Sequence, residues 1–189
     1  MLVAASEHGV EAPSTFVPRT IVSCGTSFST AIGAGILAVG ERHGGAVEKM
    51  AFHLQSASGV RDIVRDALKR KDYLPGFGHK VYKTGDPRVK ELFSQAKKAK
   101  LKGKYIRKAL ELEKELKRQT GKLIPLNIDG ALGALLCELG FDWRLGKAVF
   151  VLARVAGISA HVLEEMTNEK SYRRLSEEDV DYIGPKLQK

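Results

Sequence analysis

An all-α fold is what this chain predicts, on two observations. Apolar side chains recur at helical spacing along most of its length, and no stretch alternates apolar with polar residues as a half-buried strand would. Glycine, proline and capping residue types also interrupt that periodicity at intervals that separate successive helices. Ser14-Thr15 can cap a first helix reaching about Cys24-Gly25, with Pro18 in its first turn. Residues 26–41 read as a small-residue helix, in which Ala31, Gly33, Ala34, Gly35 and Ala38 permit close helix–helix approach. Amphipathic helices follow over 46–56 and 60–71. After a glycine-rich loop, residues 87–100 and 104–119 are helical, and Thr120-Gly121 stops the second of them. Residues 126–139 and 145–167 are strongly apolar and belong at the centre, whereas the polar tail, 168–189, extends over the surface. There is no internal repeat.

With 189 residues the chain can bury a proper core, as one domain or two small ones. Cys24 and Cys137 lie in apolar helical patterns without metal spacing, which fits a reducing compartment and no disulfide scaffold. The start, residues 1–5, lacks the basic region of a signal peptide. The longest apolar stretch, 148–163, carries Arg154 and His161, which argues against a membrane span. A cytoplasmic location is the expectation. The net charge of +9 is concentrated in residues 97–122, where eleven Lys or Arg face three Glu. Tyr105 is the lone aromatic there, so the repeated stacking residues of a single-strand binder are missing. A solvated basic face ranks first, an anion-binding rim second and a nucleic-acid site third.

The chemistry-bearing residues sit in unusual surroundings. Residues 75–88 place His79 on a turn made by Gly76, Phe77 and Gly78, with Asp86-Pro87 opening a helix at Arg88. That loop offers a neutral-pH proton carrier and a carboxylate-binding cation, or else an ordinary surface turn. His43 precedes Gly44-Gly45, which puts backbone N–H donors beside it or simply joins two helices. His8 also neighbours a glycine, and His53 falls at helical spacing on a mixed face, as a structural residue would. No pair has zinc spacing and no acidic cluster suggests Mg²⁺ or Ca²⁺, so no metal is expected. Asp129 opens an otherwise apolar helix: it is either an N-cap or a general base whose proton affinity is raised by desolvation. Beside it, Asn127 either orients a ligand or stabilises the turn. Arg154 in mid-helix needs a carboxylate, supplied by the protein or by a ligand; with Arg88 it could clamp a polycarboxylate. His161 lies close to the same helix face.

Taken in order, His43-Gly44-Gly45-Ala46, Gly76-Phe77-Gly78-His79, Asp86-Pro87-Arg88, Asn127-Ile128-Asp129 and Ala153-Arg154 resemble the citrate synthase family, most closely its short branch of citryl-CoA lyases. The resemblance runs from Glu7-His8 to about Gly184-Pro185. It implies an all-α, usually dimeric enzyme with its active site in a cleft between domains. Residues 1–43 and 129–189 would form the large domain, in part, and 44–128 the small mobile one. The catalytic trio would be His43, His79 and Asp129. Oxaloacetate or citrate would be held by His8, Arg88 and Arg154, and Arg174, of the pair with Arg173, would reach the neighbouring subunit's site. Coenzyme A would lie along Gly76, Phe77 and Gly78, with Lys83 and the basic face near its phosphates. No resident cofactor is implied; the coenzyme A thioester, acetyl-CoA or citryl-CoA, is a substrate beside oxaloacetate, and the partner is a second copy. The implied activity is cleavage of citryl-CoA to acetyl-CoA and oxaloacetate through an enol. Alternatives are citrate synthase, which condenses the two and hydrolyses the thioester, and a non-catalytic regulatory or assembly partner. Two departures stand out. The chain begins close to His8, without helices that precede it in the family, as a truncated product, a fragment or one partner of a split enzyme would. Lys83 replaces an arginine found in many citrate synthases, which weakens bidentate phosphate binding.

Overall fold

The computed structural model describes residues 1–79, 81–181 and 183–185. Lys80 of the histidine loop, and Tyr182 and residues 186–189 of the expected surface tail, lie outside the described residues. The described residues are helical, with isolated bridges and no extended strand, as the periodicity predicts. In chain order the helices are α1 (Leu2–Ala5), α2 (Pro13–Ser23), α3 (Phe28–Leu37), α4 (Ala46–Gln55), α5 (Val60–Lys69), α6 (Pro87–Lys98), α7 (Lys104–Thr120), α8 (Ile128–Glu138) and α9 (Gly146–Asn168).

Two hydrophobic clusters organise them. Met50 and Leu54 of α4, Val64 of α5, Leu112 and Leu116 of α7 and Leu136 of α8 form the larger cluster. Val22 of α2, Ala31 of α3, and Ile158 and Val162 of α9 form a smaller one. Gly35 lets α3 close on α9 and α2, since an added Cβ would stand 3.0 Å from Ile158 and 3.1 Å from Pro18. A third group includes Val47, Ile128, Leu132, Phe150 and Ala153, and a cavity lined in part by Ile128 and Phe150 opens beside it. By length and composition the 143–168 segment could cross a membrane, but Arg154 stands near its middle and α9 packs against α1, α2, α3 and α4. The lysines at 97, 98, 100, 102 and 104 are exposed, as a solvated basic face requires.

Several local expectations are corrected. Ser14 and Thr15 do not cap α2: both are buried, Ala12 holds the N-cap position without a side-chain bond, and Pro13 occupies the first turn. Pro18 lies inside that helix rather than at its start. α3 is shorter than the small-residue pattern, because Ser27 caps it by accepting from Thr30 N and the chain leaves the helix after Leu37. Asp129 is not the cap of α8; Asn127 is, its Oδ1 accepting from Gly130 N at 3.1 Å. Cys24 is exposed at the end of α2, whereas Cys137 is buried.

Candidate functional site

The turn after α3 carries His43. Gly40 and His43 exchange both backbone hydrogen bonds, at 2.8 and 3.1 Å, which folds the chain back on itself. Gly44 follows at φ +90°, and any Cβ there would strike the Phe150 ring of α9 at 2.7 Å. The His43 ring meets Phe150 edge-on, at 5.8 Å between centroids, and its Nε2 lies 2.8 Å from Ser14 Oγ. The buried Ser14 hydroxyl on α2, able to donate or accept, holds the ring in place through Nε2 in either tautomer. Nδ1 has no protein partner among the described residues. Burial, then the charge of Arg154, lowers the pKa of His43, so the imidazole is neutral at pH 7.

The glycine-rich loop is fastened to the start of α8. Gly78 N donates to Pro125 O at 2.8 Å, Asn127 N donates to Gly76 O at 2.9 Å, and Asn127 Nδ2 donates to Gly78 O at 2.7 Å. Gly76 at φ +85° abuts Gly130; an added Cβ on Gly76 would sit 2.7 Å from Gly130 Cα. Only glycine at both positions permits that approach. The contact fixes His79 relative to Asp129, fifty positions later in the sequence.

On this loop His79 Nδ1 lies 3.0 Å from Val81 N and 3.2 Å from Tyr82 N, both donors. Its Nε2 lies 3.3 Å from Arg88 Nη2, a third donor. A neutral imidazole can accept at only one nitrogen. With two amides on Nδ1, the ring carries its hydrogen on Nε2. Two donors, His79 Nε2–H and Arg88 Nη2, then face each other with no acceptor between them, a place that a ligand oxygen can fill. Arg88 is anchored by Asp86, the buried N-cap of α6, at 2.9 Å from Nε and 2.7 Å from Nη2.

Arg154 comes to the same space from α9. It is 3% exposed and donates from Nε to Ala5 O at 3.1 Å. Nη1 is buried without a partner, and no carboxylate pairs with this guanidinium among the described residues. The internal ion pair weighed from sequence is thus absent there, and the cost of such a charge points to a ligand anion. His8 stands close enough to Arg154, Asp129 and Arg88 to feel their charges; burial first, then Arg154, lowers its pKa. Burial raises the pKa of Asp129, against the pull of His8, Arg88 and Arg154.

One cavity of about 550 Å³ is lined by His8, His43, His79, Arg88, Asn127, Asp129, Phe150 and Arg154. His8 and Arg154, 146 positions apart in sequence, are thereby brought together. Gly76, Phe77 and Gly78 form the loop that presents His79, and Lys83 Nζ donates to His79 O at 3.1 Å. Arg174 is not at this cavity: its guanidinium lies over the exposed Tyr172 ring, 4.7 Å from the centroid. Arg173 instead pairs with Glu165 at 2.6 Å. Sequence reasoning missed Ser14, Glu7 and Phe150 at the site. Ser14 resembled a cap, and no local signal marks the other two.

Residues 1–175 match the family model of the citrate synthase C-terminal domain. The chain is similar to citrate synthase 2 of Bacillus subtilis (strain 168), at 33% identity over 100% of this chain and 50% of that protein. It superposes on citryl-CoA lyase from Hydrogenobacter thermophilus with a TM-score of 0.93 and 42% identity, over 100% of this chain and 76% of the other. It also matches ATP citrate lyase from Methanothrix soehngenii, solved with citrate and coenzyme A, with a TM-score of 0.83 and 26% identity over 98% of this chain and 33% of the other. The chain spans about half the length of the curated relatives it matches. With that match and the all-helical fold, the chain belongs to the citrate synthase family.

Proposed function

We propose that the cavity is the active site of a citryl-CoA lyase-like enzyme, cleaving citryl-CoA to acetyl-CoA and oxaloacetate through an enol. The observation that carries this reading is the meeting of His43, His79 and Asp129 in one cavity beside Arg154, whose Nη1 lacks a protein acceptor. Arg154 and His8 bind carboxylates of the oxaloacetate portion, with Arg88 adding a third cationic or polar contact. In cleavage, His79 takes the hydroxyl proton on Nε2 after its own hydrogen has moved to Nδ1, which the Val81 and Tyr82 amides must first release; the C–C bond breaks, and its electron pair passes to the thioester carbonyl. His43 Nδ1–H donates to the enolate oxygen so formed. Asp129, whose burial favours the protonated form, delivers its proton to the enol carbon.

The citryl-CoA lyase from Hydrogenobacter thermophilus, at 42% identity, supports the lyase direction. A second reading is citrate synthase, supported by the 33% identity to citrate synthase 2 of Bacillus subtilis. The amides on His79 Nδ1 leave the hydrogen on Nε2, the tautomer that polarises the ketone of oxaloacetate, and serve both readings, which share the carbon–carbon step and differ in hydrolysis of the thioester. Coenzyme A would run along Gly76, Phe77 and Gly78 toward Lys83. Closure of residues 44–128 over the flanking parts, with the Gly76–Gly130 contact at the junction, would exclude water from the enol. A second copy would receive Arg174. The test is to supply citryl-CoA and follow acetyl-CoA and oxaloacetate, then to supply those two and follow free coenzyme A. Cleavage without coenzyme A release supports the lyase; rapid release with citrate accumulation defeats it. If neither reaction occurs, the enzymatic reading fails.

A further inference from the structure

Three residues on one face of α9, Arg154, Gly157 and His161, all meet the short segment that carries His8. Their spacing of three and four positions stacks them along the helix. Arg154 Nε donates to Ala5 O at 3.1 Å. Gly157 leaves room for the Ser6 carbonyl, which any Cβ would overlap, and such a Cβ would lie 3.2 Å from Glu7 Oε2. His161 Nε2 lies 2.7 Å from Glu7 Oε2. The other oxygen of Glu7, Oε1, accepts from His8 N at 2.7 Å and from Gly9 N at 2.5 Å. A single carboxylate thus links the imidazole on α9 to the backbone of the cavity histidine. Behind His161, Nδ1 lies 3.3 Å from Arg19 Nη1 and 3.4 Å from Glu164 Oε2. Arg19 is itself buried and tied to Glu165 and Glu169, so the ring is backed by a fixed group.

We propose that His161 is a positioning residue of the cavity: acting through Glu7, it sets where His8 stands. His161 does not line the cavity, and its effect passes through the two amides that Glu7 accepts. The proposal rests on the reading of the cavity as an oxaloacetate site for the ligand that His8 meets, and on the hydrogen bonds alone for the segment it holds. Outer hydrogen-bond partners of metal ligands shift affinity by about tenfold or more when removed, and an effect of that order is expected for the partner that holds His8.

The test compares His161→Leu with His161→Gln, whose amide nitrogen can restore a donor toward Glu7. Amide hydrogen exchange across residues 5–9 is read without any ligand, and oxaloacetate affinity is read by titration of the same proteins. His161→Leu should speed exchange at His8 and Gly9 about tenfold and weaken oxaloacetate about tenfold, with kcat within about twofold of the parent. His161→Gln should restore both. Unchanged exchange in His161→Leu overturns the proposal, as does failure of His161→Gln to restore it. If the parent binds oxaloacetate and His161→Leu binds it equally well, the positioning role is also overturned. If the parent binds no oxaloacetate while the exchange effect is present, the active-site reading fails and the coupling of His161 to the His8 segment stands. Should His161→Leu not fold, His161→Phe keeps the bulk of the ring while removing the bond to Glu7 and is read in the same two ways.

Discussion

Arg19 and Arg154 are both buried guanidiniums at the α2–α9 side of the molecule, and their surroundings are opposite. Arg19 meets Glu164, Glu165 and Glu169, and the Glu165 side chain is only 1% exposed. Arg154 meets one backbone carbonyl and keeps Nη1 without a partner. A buried cation surrounded by protein carboxylates is a fastening. One that borders a cavity and has no protein carboxylate is prepared for an anion that arrives from outside. The same helix therefore carries structure at one end and recognition toward its middle.

That contrast can be broken by substitution. Arg19→Leu leaves the Glu165 carboxylate buried beside a single remaining cation, Arg173, and should cost about 3–5 kcal/mol of stability. A denaturant midpoint within experimental error of the parent would put Arg19 outside the framework. Asp129→Asn should lower turnover by about 10²–10⁴-fold while the helix start is kept, because Asn127 is the cap. A twofold loss would reduce Asp129 to a structural residue. Arg154→Leu should leave stability nearly unchanged yet weaken oxaloacetate by about a hundredfold, measured by calorimetric titration. Equal destabilisation by the two arginine substitutions would erase the distinction between them.

The smallest effect separates the two ends by pH. Burial works against ionised Glu165, but the bonds from Arg173 and Arg19 prevail and depress its pKa. Its contribution is therefore present above the unfolded value of 4.5 and is lost as pH falls through the folded value. Asp129 has the opposite sign. Its pKa is raised, so it contributes stability below 3.8 that is lost as pH rises through the folded value. Asp129→Asn should accordingly raise the melting temperature by a few degrees at pH 7, and the gain should vanish below pH 3.8. A gain that persisted in acid would mean that charge burial is not its cause.

Much of the scaffold was legible because its signals are local. α4, α5 and α7 have strong amphipathic patterns, and Gly121 ends α7 in the left-handed conformation that glycine favours. Asp86-Pro87 opened α6 as its residue types demand. The failures involve polar residues whose partners are remote. Ser14 has a capping residue type, but the extended backbone of an N-cap belongs to Ala12, and the hydroxyl serves His43 twenty-nine positions away. At the cavity, glycine neighbours marked His43 and His79, and an apolar helix marked Asp129. Glu7 gave no such sign, since its partner His161 is 154 positions distant and neither residue is unusual where it stands.

α9 turns one edge to the His8 segment and the cavity and leaves Leu152, Leu163 and Met166 on another, at 67%, 56% and 54% exposure. No residue is shared between these edges. Mutations could accordingly accumulate along the outer one, altering solubility or self-association, while ligand selectivity stayed untouched. For anyone remodelling this helix, those are two independent dials.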